Sequence, residues 1–110
     1  MLNKEVSIAV ILAYFNGENY IKQQVKSILD QTIEKTDLYI SDDNSLKKPK
    51  KSDLSLDNKN ANRIQIYNRS KNYNYSKNFL LTLFEIPNNY NFYSFSDQDD
   101  IWFENKLEKA

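Results

Sequence analysis

Residues 6–13, VSIAVILA, constrain the fold more than any other stretch of this chain. A strand covered on one face alternates apolar and polar residues, and this one does not. An almost unbroken β-rich apolar run is expected where a strand is covered on both faces, as in a parallel sheet flanked by helices. The stretch GENYIKQQVKSILDQ follows, with Ile21, Val25, Ile28 and Leu29 on one helical face. Asn16 is placed to cap its first turn. DLYIS then reads as a short strand that ends at Asp42 and Asp43.

Residues 44–62 are polar and interrupted by Pro49, and they read as a loop that leaves room for one weak helical turn. RIQIY alternates as a third strand. A second helix is expected after Ser76, with Phe79, Leu80, Leu83 and Phe84 as its apolar stripe and Pro87 at its end. NFYSF is a fourth strand, SDQDD follows it, and FENKLEKA opens a last helix. The order β-α-β-loop-β-α-β-α predicts one α/β domain over residues 1–110, with a mainly parallel sheet.

Composition narrows the chemistry. The chain has no cysteine and no histidine, which excludes disulfides, thiolate nucleophiles and the commonest zinc ligands. Fifteen basic residues balance fifteen acidic ones, so no overall field gathers nucleic acid. A mixed run of Tyr67, Arg69, Lys71, Tyr73 and Tyr75 is a weak hint the other way. Lys47, Lys48, Lys50 and Lys51 read as a solvated loop. No run is long enough for a membrane helix and no secretory signal is visible, so a cytoplasmic location is expected.

Two acidic groups remain, Asp42 with Asp43 and Asp97 with Asp99 and Asp100, each at the expected carboxyl end of a strand. Ligands of open parallel sheets bind beyond those ends. Two carboxylates about 4 Å apart repel by roughly 4 kcal/mol at an effective dielectric of 20. Splayed side chains, a shared proton or a cation between them would each relieve that. Oxygen ligands without Cys or His suit Mg²⁺ or Mn²⁺, which commonly bridge carboxylates to phosphates. With Gly17 the sole glycine, neither a Walker loop nor a GxGxxG turn is present to cradle a phosphate. Bland readings compete at each position: a solvated, N-capping turn for Asp97, Asp99 and Asp100; an Asx turn for Asp42 and Asp43; plain packing for Tyr14, Phe15 and Trp102.

Four segments in order, VSIAVILAYFNGENYIKQQVKSILDQT, LYISDDNS, NYNYSKNF and FSDQDDIWFENKLEK, resemble family 2 glycosyltransferases of the GT-A fold, in the rhamnosyltransferase-like branch. The resemblance implies the nucleotide-binding N-terminal half of such an enzyme. Its donor is a nucleoside diphosphate sugar and its acceptor a saccharide or a lipid-linked molecule, which suits the inner face of the membrane. On that resemblance Ala13, Tyr14 and Phe15 line the base and ribose pocket, with Asn16 and Glu18 close by. Asp43 bonds the nucleobase with Asp42 beside it, Lys77 helps to hold the donor, Asp97 lies near ribose and metal, and Asp99 is the principal metal ligand. Asn44 and Asn74 stand where the family usually has glycine, and Asn is the best substitute for a left-handed backbone.

The resemblance places the general base in an acceptor half outside these residues, so no catalytic residue is assigned here. The isolated chain is expected to transfer no sugar, and an uncovered sheet edge is a route to self-association. The alternative is a non-catalytic module that binds nucleotide and metal. A phosphoacceptor signalling domain is disfavoured, because its acidic pair should follow the first strand, where YFN stands.

Overall fold

The computed structural model describes residues 6–31, 35–54 and 56–97, without the side chains of Tyr75 and Asp97. The expected helix from FENKLEKA, and with it Trp102, Asp99 and Asp100, lies outside the described residues. The strands are β1 (Ser7–Tyr14), β2 (Lys35–Asp42), β3 (Ile64–Asn68) and β4 (Phe92–Asp97). The helices are α1 (Ile21–Leu29), the single turn α2 (Asn58–Ala61) and α3 (Tyr75–Glu85). The four strands form one sheet in the order β3-β2-β1-β4, with every pairing parallel.

β1 is central, and seven of its eight residues are buried. Its alternate side chains feed two separate cores. Ile8, Val10, Leu12 and Tyr14 join Ile21, Val25, Ile28 and Leu29 of α1, while Ala9, Ile11 and Ala13 join Phe79 of α3. A strand supplying both faces of a sheet leaves no position for an exposed polar residue, which is why VSIAVILA does not alternate. β4 is tied to the α1 face as well, through Gln24 Nε2 donating to Ser96 Oγ at 3.2 Å.

Three expectations need correction. Asn16 does not cap α1, which begins later with Tyr20 as its N-cap and has no side-chain cap. The segment 44–62 is more ordered than a loop: a 3₁₀ turn spans Lys51–Leu54, α2 follows, and Pro49 and Leu54 are buried. The stripe of α3 is also shifted. Phe79 is buried and Leu83 half-buried, but Leu80 is 54% and Phe84 84% exposed, while Asn78 and Thr82 are buried.

The buried polar face of α3 is satisfied by a network. Asn78 Nδ2 donates to the Ser41 carbonyl at 2.9 Å, and Ser41 Oγ donates to Asn78 Oδ1 at 2.6 Å. Arg69 Nε donates to the same Oδ1, Arg69 Nη2 donates to Thr82 Oγ1, and the guanidinium pairs with Glu85 at 2.7 Å. Buried polar groups are tolerated when every partner is present. Here they lock the start of α3 against the carboxyl end of β2.

Candidate functional site

Strand order places the chain's switch point at β1, from which β2 and β3 run to one side and β4 to the other. The crevice outside the carboxyl ends at such a point is where open parallel sheets bind ligands. Register brings the acidic residues to it: Tyr14 pairs with Asp42 on β2, and Ala13 pairs with Asp97 on β4. The expected gathering of Ala13, Tyr14, Asp42 and Asp97 at one rim is therefore present in the backbone.

The loops above that rim are stitched together. The Asn16 amide donates to Ser45 Oγ at 2.7 Å, and the Leu46 amide donates to Asn16 Oδ1 at 3.0 Å. The Ser45 amide donates to Asp42 Oδ1 at 3.1 Å, and the Asp43 amide donates to the Tyr14 carbonyl at 2.9 Å. Asn16 thus positions the loop after β2. Asp42 closes the local turn that the Asx reading expects, and its Oδ2 lies 3.8 Å from Lys48 Nζ.

Asp43 reaches further. Its two carboxylate oxygens accept the amides of Tyr73 at 2.7 Å and Asn74 at 3.0 Å, some thirty residues along the chain. Asn72 Nδ2 donates to the Asp43 carbonyl at 3.3 Å. Asn74 in turn caps α3, its Oδ1 accepting the Lys77 amide at 3.2 Å. Two amides occupy two of the roughly four acceptor sites of a carboxylate, so capacity for a ligand donor remains. Lys77 stands in the first turn of α3 with its ammonium 5.3 Å from the Tyr73 ring centroid.

The non-glycine residues with positive φ among those described are Asn16, Asn44 and Asn74, at 50°, 66° and 74°. Each lies in a loop of this rim. Asn44 and Asn74 confirm the left-handed backbone expected where asparagine replaces glycine. Asn74, with ψ 170°, occupies a region that is nearly glycine's alone and costs other residues about 1–3 kcal/mol. Such strain persists only where surrounding contacts over-determine it, and the Asp43 carboxylate supplies them.

The sheet also divides the expected site. Tyr14 points into the α1 core, and with Glu18 it lines a cavity of about 290 Å³ on that face. Burial, then the charges of Glu18 and Asp42, push the Tyr14 phenol above its ordinary value, so it stays protonated. Ala13 belongs to the α3 core, and Asp43 and Lys77 are joined to the loop leading into α3. Phe15, which follows Tyr14 in the chain, is 42% exposed.

Arg69 and Tyr67 do not form an aromatic-basic strip. Arg69 serves the α3 network, and Tyr67 stacks on Tyr39 with centroids 6.2 Å apart. Sequence reading missed Ser41, Ser45, Arg69 and Asn78 as supports of the rim.

Asp97 reaches this rim through its backbone, and Asp99 lies outside the described residues. Among the described residues no group of three or more acidic side chains is placed to hold a metal ion. The chemistry of Asp97 and Asp99, carboxylate oxygens alone, fits a hard divalent ion.

The family described as Glycosyl transferase family 2 matches residues 9–110. The chain belongs to that family. This family 2 chain is 35% identical over 105 residues to the dTDP-rhamnosyl transferase RfbG of Shigella flexneri, covering 90% of the chain and 35% of the relative. It spans about a third of that relative's length. Its fold is similar to that of S. aureus TarS: a TarS 1-349 structure in complex with UDP aligns with TM-score 0.77 and 20% identity over 96% of this chain and 31% of that one. A second TarS structure gives TM-score 0.75 at 22% identity, over 96% of this chain and 19% of that one. The fold of this family 2 chain is accordingly that of the N-terminal half of a GT-A fold.

Proposed function

We propose that this chain is the donor-binding half of a glycosyltransferase, and that its donor is a deoxythymidine diphosphate sugar. The observation that carries the reading is the register that brings Tyr14 beside Asp42 and Ala13 beside Asp97 at the switch point of the sheet. Family membership supplies the reaction class, and the name of the 35% identical relative supplies the base.

In this reading Ala13, Phe15 and Asp43 receive the nucleoside, with Asp43 using its remaining acceptor capacity on the base. Tyr14, Asn16, Glu18 and Asp42 shape the β1 side of the crevice, and Lys77 stands at its α3 side. Asp97 and Asp99 hold Mg²⁺ or Mn²⁺, which when bound acts as a Lewis acid on the departing diphosphate. The chain's own residues contribute positioning: the fixed loops hold the donor in one orientation before reaction. The acceptor, a saccharide or a lipid-linked molecule at the cytoplasmic face of the membrane, is met by residues beyond these 110, together with the general base.

Self-association belongs to the same proposal. The outer edge of β4 has no strand beside it among the described residues, Phe92 and Phe95 are exposed, and FYSFS contains no Lys, Arg or Pro to discourage pairing.

The test is thermal unfolding with deoxythymidine diphosphate and Mn²⁺. Ligand at ten times its Kd adds about 1.4 kcal/mol, worth several degrees in a domain of this size. The metal-dependent part of the shift should vanish in Asp99→Ala. No shift with deoxythymidine or uridine diphosphate at millimolar concentration contradicts the donor reading.

A further inference from the structure

The lysine run around Pro49 reads in sequence as a solvated loop, and Lys47, Lys50 and Lys51 are indeed exposed, but the backbone that carries them is fixed. Pro49 is buried and Leu54 is 4% exposed within the α1 core, so the segment between them is pinned to the body of the domain. Lys47, Lys48 and Lys50 consequently line the same 290 Å³ cavity as Lys22, which projects from the first turn of α1. Four lysines thus line it with two acidic residues, Glu18 and Asp53. Lys48 is engaged with Asn44 Oδ1 at 2.8 Å and lies near Asp42, whereas Lys22, Lys47 and Lys50 have no ion-pair partner among the described residues. The first turn of α1, whose amide ends carry partial positive charge, starts at this cavity without a side-chain cap.

Crowded like charges with a helix N-terminus beside them are relieved by an anion. Lysine binds phosphate as a point charge without requiring planar geometry. Tyr14, also in the lining, stays protonated and adds no negative charge to the cavity. The carboxylates of Glu18 and Asp53 limit the excess of positive charge, which fits one or two phosphoryl groups rather than a long polyanion. The cavity lies on the α1 face, away from the loop joined to Asp43; it shares Tyr14 and Glu18 with the proposed donor crevice, but none of its four lysines.

We propose that the cavity between α1 and residues 47–50 is a metal-independent phosphoryl-binding site, its ligand held by Lys22, Lys47, Lys48 and Lys50. The inference does not depend on the donor reading, because it needs neither the acidic rim nor a divalent ion.

Isothermal titration of the chain with inorganic pyrophosphate in EDTA tests it. Binding is expected, weakening with added salt and falling at least tenfold in the double variant Lys22→Gln, Lys47→Gln. Both side chains are exposed, so the melting temperature of the free variant should stay within a degree or two of the parent. Co-sedimentation with phosphatidylglycerol vesicles separates the sources of phosphate. Vesicle capture that pyrophosphate reverses assigns the site to a lipid headgroup, and pyrophosphate binding without capture assigns it to a soluble phosphate ester. Absence of pyrophosphate binding in EDTA, equal affinity in the double variant, or vesicle capture that pyrophosphate leaves unchanged would overturn the proposal.

Discussion

The carboxylate of Asp43, at the end of β2, accepts the backbone amide of Asn74 at 3.0 Å and holds that residue at φ 74° and ψ 170°. An acidic side chain that we propose meets a ligand is thus also the brace of the loop that opens α3.

That double role separates two substitutions. Asp43→Ala removes two charge-assisted hydrogen bonds and frees a strained turn, so it should destabilise the chain by about 2–4 kcal/mol. Asn74→Gly relieves the backbone while losing only a few tenths in capping, and should stabilise by about 1 kcal/mol. Urea denaturation of both variants measures this. A stabilised Asp43→Ala protein would show that the brace is not needed.

The α3 network makes a second prediction. Asn78→Ala leaves the Ser41 hydroxyl, the Ser41 carbonyl and Arg69 Nε short of a partner in a buried place. A loss of about 2–4 kcal/mol is expected from unpaired buried groups. Asn78→Asp should recover part of it, since an acceptor for Ser41 and Arg69 remains. Equal losses in the two variants would mean that only volume matters at this position.

Tyr90 supplies a pH dependence. Its hydroxyl donates to Asp37 Oδ2 at 2.6 Å and accepts from Tyr39 at 2.6 Å. Burial first, then the Asp37 hydrogen bond, push its phenol far above the ordinary value, and Tyr39 is raised as well. Below about pH 10 the phenol is neutral in both folded and unfolded chains, and its contribution is complete. Above that pH the unfolded chain releases the proton while the folded one keeps it, so stability falls as pH rises, by up to about 1.4 kcal/mol per unit. The stability difference between the parent and Tyr90→Phe should therefore shrink from about pH 10 upward. A difference that stays constant to the onset of alkaline unfolding would contradict this.

Self-association through β4 is checked by sedimentation velocity. Phe95→Lys places a charge on the exposed edge strand and should shift the 110-residue chain toward monomer. An unchanged distribution of species would assign any association to another surface.

The parallel sheet was legible because β1 has no polar position to spare, and the left-handed turns were legible because asparagine stands at Asn44 and Asn74. Asn16 misled because a capping residue and a loop tie use the same side-chain oxygen, and only the position of Ser45 and Leu46 decides between them. The stripe of α3 was misread for a related reason. Leu80 and Phe84 are apolar yet exposed, and Asn78 and Thr82 are polar yet buried, because hydrophobic periodicity cannot register a polar face that is fully hydrogen-bonded. Nor does any local pattern announce that Asp43 is bound to a loop thirty residues away.

In the proposed function, nucleotide enters the crevice at the carboxyl ends of β1, β2 and β4. Titrating deoxythymidine diphosphate with Mg²⁺ into the isotopically labelled chain, and following its amide resonances, addresses this directly. Saturable changes are expected at residues 13–16, 42–46 and 72–78 and at Asp97, with the amides of Tyr73 and Asn74 among the most affected. Changes confined to the opposite ends of the strands, or none at saturating nucleotide, would contradict it.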